Sequence, residues 1–437
     1  MTWLYNLPLE LRLAAVGILG VLIGTQVNRF VYRLSWVPRQ IGPWAKPPAD
    51  APPRNWFDYL PIVGWFALRR EAPLHGPGYW LRPMTIEIVF GAGLALLYWF
   101  EVQGGLVPDA VTTKLPMDWI HAQFAAHTLL IALMATASVI DIDEKLIPDQ
   151  ITVYGALAGL VLAALVPMSR LPVWDAFLYG RPPATAWTGE SLLMIASPND
   201  PPDWFFGPCG LAMAIGCFAA WWLAILPSIW TTRFGVAKAV RYKLAGMRRA
   251  VMPRKSRPHE GWRGYLPILG LGLALIIAVW ALQGRVSSSH WHALFTALVG
   301  MAAGGAIVWG VRIIGSHALR KEAMGFGDVT LVAMIGVYLG WQPCLMLFFI
   351  APFIGVVIAL LNMLLRGQAD IWYGPFLCAA ALIVIVFWAK LWHDFGAIFT
   401  MGLFVPALVV IMFALMWAML IFWRFIKEQI IFRSSPE

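Results

Sequence analysis

Long apolar runs organise this chain. Stretches of about 17–25 mostly hydrophobic residues recur along it, the length a helix rising about 1.5 Å per residue needs to cross roughly 30 Å of hydrocarbon. They lie near 10–31, 84–104, 122–141, 150–168, 208–230, 265–283, 291–315, 329–343, 344–365, 375–393 and 400–423. The eighth and ninth are divided at Gln342-Pro343. Of the 437 residues 60% are hydrophobic and 13% charged, about half the charge of an ordinary soluble domain. A water-soluble globular protein, a disordered chain and a fibrous one are thereby excluded. The expected fold is all-α, a polytopic transmembrane helix bundle of about eleven spans. The first stretch has no small-residue cleavage site and runs into Asn28, so it reads as a retained span rather than a signal peptide.

The net charge of +9 reads as a membrane signature rather than a nucleic-acid one, because cytoplasmic loops concentrate Lys and Arg. Segment 233–264 has ten basic residues, Arg233 to Arg263, against Glu260 alone. Segment 32–83 and the tail with Arg424, Lys427 and Arg433 are also basic, whereas 169–206 leans acidic. Placing the first three inside and the last outside satisfies every crossing, with the N-terminus outside and the C-terminus inside. Residues 1–83 then form a first span plus a basic, cysteine-free cytoplasmic loop. Residues 84–437 form a membrane-embedded core with a cytoplasmic loop at 233–264. Cys209, Cys217, Cys344 and Cys378 form no CxxC pair and read as small buried apolar residues. Gly20, Gly24, Gly300 and Gly304 read as close helix–helix contacts, and Trp80, Trp204 and Trp230 as an interfacial belt.

Ionisable groups at membrane depth are costly and therefore mark function. Two acidic clusters stand out: Asp141-Ile142-Asp143-Glu144-Lys145-Leu146-Ile147-Pro148-Asp149, and Gly325-Phe326-Gly327-Asp328. Both fall at span ends on the cytoplasmic side. Two carboxyls brought close cannot both ionise easily, so they share a proton. One then acts as general base on a water and the other as general acid toward a scissile carbonyl. That is aspartic-protease chemistry, with neither metal nor cofactor. The two glycines would let the backbone bend and a substrate strand approach. Each cluster also has a plainer reading: Asp141 to Asp149 as an ordinary acidic turn between two helices with Asp149 as a cap, and Asp328 as a helix cap after a glycine turn.

The first cluster resembles the leading aspartate motif of type IV prepilin peptidases, and Gly325-Phe326-Gly327-Asp328 resembles the GxGD motif of intramembrane aspartic proteases. Gly24-Thr25-Gln26-Val27-Asn28 with Tyr32-Arg33-Leu34 is similar to the end of that family's first helix. Asp58-Tyr59-Leu60-Pro61, Trp65 and Leu68-Arg69 resemble its first cytoplasmic loop, and Arg82-Pro83 with Glu87 its second helix. Gly336-Val337-Tyr338-Leu339-Gly340-Trp341 and Tyr373-Gly374-Pro375-Phe376 resemble its later signatures.

The resemblance implies a membrane endopeptidase of the cytoplasmic (inner) membrane that removes the basic leader of prepilins or pseudopilins. It implies Asp141 and Asp328 as the catalytic pair, with Asp143, Asp149, Gly325 and Gly327 in support. No nucleic-acid partner is expected. Many relatives carry two CxxC pairs in the first loop, whereas 32–83 has no cysteine and only His75 among soft ligands, so no metal is expected. Thr330 stands where lysine is usual, which implies a missing cation beside the pair. No methyl-donor motif is visible, which leaves N-methylation open. The alternatives are a GxGD protease with other transmembrane substrates, a non-catalytic scaffold, or a transporter. A transporter would want ionisable residues at mid-membrane, where these spans hold almost none.

Overall fold

A computed structural model describes residues 7–47, 50–107, 115–173, 192–226, 265–285, 287–320, 323–366 and 373–427. Among them every regular element is helical, apart from one isolated bridge between Pro172 and Leu192. The longer helices are α1 (Leu9–Leu34), α2 (Leu81–Val102), α3 (Met117–Glu144), α4 (Asp149–Leu165), α5 (Pro208–Ile225) and α6 (Leu266–Leu282). They continue with α7 (Ser288–Leu319), α8 (Phe326–Leu339), α9 (Trp341–Arg366), α10 (Tyr373–Val386), α11 (Trp388–Phe395) and α12 (Phe404–Ile426).

All eleven apolar stretches fall on helices, but not all make full-length spans. Among the described residues seven helices are long and apolar enough to cross a membrane, and α4, α6 and α8 are shorter. The stretch expected at 375–393 bends by 84° after Val386. Its second half, α11, is amphipathic, with Lys390, His393 and Asp394 opposite the buried Trp388 and Trp392. The break expected at Gln342-Pro343 falls instead at Gly340, whose φ of +97° favours glycine. Pro343 sits in the first turn of α9, where its missing N–H costs nothing.

α8 is the axis of the bundle: every residue from Asp328 to Leu339 is buried. The approach of α7 to it requires small residues, since a Cβ on Gly304 would stand 2.8 Å from the Val332 carbonyl. α1 and α2 meet likewise, a Cβ on Gly24 standing 2.8 Å from the Glu87 Cα. Those glycine expectations hold. Cys344 and Cys378 are buried as expected, but Cys209 is exposed and Cys217 only half-buried, because the outer face of α5 is apolar and has no need of a protein neighbour. Trp80 precedes α2 and Trp204 is exposed before α5. Trp230, the basic segment 233–264 and residues 174–191 of the long loop lie outside the described residues.

Hydrogen bonds sort the helix ends into two layers. At one end Trp36 N–H reaches Glu144 Oε2 at 2.7 Å, Trp222 reaches the Tyr265 carbonyl at 2.8 Å and Arg424 the Ala318 carbonyl at 3.1 Å. At the other, His290 meets the Ala164 carbonyl at 2.8 Å, Trp291 the Phe205 carbonyl at 2.9 Å and Gln342 the Met194 carbonyl at 2.7 Å. Both acidic motifs belong to the first layer, with the loop after α1.

That loop is folded against α1 and α2. Arg54 makes a forked pair with Glu71 (3.0 and 2.9 Å), and its Nη1 donates to the carbonyls of Gly42, Pro43 and Ala45. Glu87, fully buried in α2, accepts from Thr25 Oγ1, Asn28 Nδ2, the Ile62 N–H and Trp65 Nε1 at 3.0, 3.3, 2.5 and 2.9 Å. The early family-like residues thus join one network that seats the loop on the helices.

Candidate active site

α3 runs three residues past Asp141 and stops at Lys145, whose φ of +55° turns the chain back while its N–H bonds the Asp141 carbonyl at 2.8 Å. Pro148 then disfavours helix at Ile147, so residues 145–148 form a short turn before α4. α8 opens on Gly325 as its cap, which puts Asp328 in the first turn rather than at the cap itself. The cap before α4 is Pro148, with Asp149 the first helical residue. Neither aspartate occupies the cap position itself.

The two motifs meet. Ile147 packs onto Gly327, where an added Cβ would stand 2.9 Å from the Ile147 Cβ. Gly374, opening α10, brings in a third motif: its N–H bonds the Asp141 carboxylate, and an added Cβ would stand 2.6 Å from Asp141 Oδ2. The Gly325 N–H bonds the Asp328 carboxylate, and Asp141 and Asp328 lie close enough for their charges to act on each other. Both are buried, each 8% exposed. Cys378, one turn into α10, bonds Ser138 and lies within the field of both carboxyls. The Tyr373 phenol lies within that of Asp328.

The structure therefore brings Asp141 and Asp328 together, with Gly325 and Gly327 beside them. Asp143 turns away to a forked pair with Arg82 at 2.6 and 3.0 Å, and Arg82 also bonds Tyr32. Asp149 is exposed. Gly327 makes room for Ile147 of the same chain, where a substrate strand was expected. Gly325 has an ordinary extended backbone, φ −66° and ψ 153°, so nothing in its conformation requires glycine. The Thr330 hydroxyl closes on the Gly327 carbonyl at 3.0 Å within its own helix. The expected lack of a cation is corrected by Arg312 of α7, which acts on Asp328 from another helix. Sequence reading missed Arg312, although a single arginine inside the apolar run 291–315 was the available signal.

A buried pair of carboxyls within each other's field suits general acid–base work on a water held between them. Residues 264–360, which include Asp328, match the type IV leader peptidase family. The family match is confined to that segment, less than a quarter of the 437 residues. A prepilin leader peptidase/N-methyltransferase of Escherichia coli K12 is 32% identical over 120 residues, 27% of this chain and 49% of the relative. One of Pseudomonas aeruginosa is 30% identical over 132 residues, 30% of this chain and 40% of the relative. Leader peptidase HopD of Escherichia coli is 32% identical over 96 residues, 21% of this chain and 59% of the relative. In each case the chain spans less than two thirds of the relative's length. No solved structure matches.

Proposed function

We propose that this type IV leader peptidase relative is a membrane aspartic endopeptidase. It removes the basic leader of type IV prepilins or pseudopilins at the cytoplasmic face of the inner membrane. The observation that carries the reading is the meeting of Asp141 and Asp328, far apart in sequence, across Ile147, Gly327 and Gly374. One carboxyl is ionised and takes a proton from a water as its oxygen attacks the scissile carbonyl carbon. The other is protonated and gives its proton to the carbonyl oxygen. Collapse of the resulting diol breaks the C–N bond, with a proton passing to the leaving amine. The buried N–H groups of Gly325 and Gly374 hold the two carboxyls in place. The basic loop after α1 lies on the same side as the pair, which supports a cytoplasmic site through the positive-inside rule.

The test is cleavage of a basic-leader prepilin in membranes, with mass spectrometry of the new N-terminus. Wild type cleaves, whereas Asp141→Asn and Asp328→Asn insert normally and do not. Cleavage at wild-type rate by either variant would sink the dyad. The names of the relatives pair peptidase with N-methyltransferase, and the same mass measurement reads methylation directly.

A further inference from the structure

Buried ionisable residues that this mechanism leaves unused include Glu87, the Glu101–His127 pair, Arg170 and Arg312. The first serves the loop. The next two lie toward the far layer, where His127 Nδ1 meets Glu101 Oε1 at 2.7 Å and Arg170 ties the Tyr338 and Ala293 carbonyls. Arg312 is different, because its charge acts on Asp328. It springs from α7 two turns before Leu319, about 10 Å below the helix end, and is 9% exposed.

An arginine so placed carries a large desolvation cost and reaches along the helix for polar company. Its Nε–H donates to the Met324 carbonyl at 2.9 Å, on the residue just before the Gly325–Asp328 turn. Its guanidinium lies over the Phe326 ring, 5.5 Å from the centroid, inside the turn itself. Its positive charge acts on Asp328. Backbone, aromatic ring and carboxyl of a single turn are thus all addressed by one side chain from a neighbouring helix.

We propose that Arg312 is a positioning residue for Asp328: it fixes the turn through Met324 and Phe326, and its charge sustains the working protonation balance of the carboxyl pair. The inference rests on the proposed peptidase reading. It touches the reaction only through Asp328, so its loss should slow turnover without weakening substrate binding. A mere packing role would give the opposite pattern, or none.

The experiment measures kcat and KM for leader cleavage by full-length wild type, Asp328→Asn, Arg312→Gln and Arg312→Lys, each reconstituted and checked for insertion and melting temperature. Arg312→Gln should lower kcat by on the order of 10–100-fold with KM within about twofold, the scale of a lost preorganised electrostatic contact. Arg312→Lys keeps the charge and should regain about tenfold of that loss. Wild-type kcat in Arg312→Gln would overturn the inference while leaving the peptidase intact. A lysine variant as poor as glutamine, with KM raised in both, would also overturn it in favour of a packing role. Failure of wild type to cleave would overturn the proposed function and this inference together.

Discussion

Ile147 and Gly327 are packed so closely that a Cβ on the glycine would lie 2.9 Å from that of the isoleucine. The contact joins two acidic motifs that are remote in sequence. Cβ belongs to the stem of Ile147 and not to its flexible tip, so the clash has to be relieved by backbone movement. Gly327→Ala should therefore part the proposed dyad and lower leader cleavage about 10²-fold, as a misplacement near 1 Å does. Gly216→Ala, whose Cβ meets nothing within 4 Å, should be silent. Equal cleavage rates for the two variants at equal membrane levels would remove the contact from the site.

The first loop carries its own staple. The side chains of Arg54 and Glu71 are only 4% and 1% exposed, and removing one member of such a pair strands the other. Arg54→Ala should cost about 3–5 kcal/mol locally and open residues 42–71 to proteolysis. Replacing both charges with apolar residues should cost less than the single change. A chelator should leave wild-type protection unchanged. Protection lost on chelation would show that metal, rather than arginine, holds the loop.

Glu87 faces four donors, so its two oxygens must both accept. Glutamine keeps one oxygen and turns an NH₂ toward an N–H or O–H that has lost its acceptor. Glu87→Gln should cost about 1–3 kcal/mol and shift tryptophan emission to the red as Trp65 loosens. Melting temperature and fluorescence check it together, and an unchanged pair of readings would refute it.

The Arg82–Asp143 pair looks similar on paper and should behave differently. Its side chains are 43% and 17% exposed, so solvent screens it and holding both chains costs entropy. Arg82→Gln should change stability by about 0–1 kcal/mol and leave the melting curve nearly superimposable. A loss of several kcal/mol would mean that Arg82 acts through its bond to Tyr32.

Hydropathy located every long helix among the described residues, because a run of apolar residues needs no knowledge of its neighbours. The acidic motifs were equally legible, since carboxylates at span ends are rare enough to stand out. Less legible was anything set by a partner. Glu87, Glu101 and His127 sit within the apolar stretches, and only the fold shows that Glu87 has four donors and that Glu101 has His127. Pro343 drew attention as a breaker, yet a first-turn proline is tolerated and Gly340 makes the break. Thr330 suggested an absent cation, while the cation came from a helix whose approach to α8 no local pattern announces.

α8 has 14 residues, about 21 Å of helix, in a bilayer whose hydrocarbon is roughly 30 Å deep. Folded-in polypeptide makes up the difference. Beyond Gly340, Gln342 gathers the carbonyls of Met194, Ile195 and Ser197. Before Asp328, the turn through Ile147 closes over the helix start. In the proposed membrane placement the carboxyls would occupy the floor of a dent, below the level of the surrounding headgroups. A scissile bond has to be lowered into it. On the proposed function, a leader studded with positive charge would remain in water while its junction with a greasy stem descends, so the dent would measure where charge stops and grease begins: a ruler for the cut more than a reader of letters.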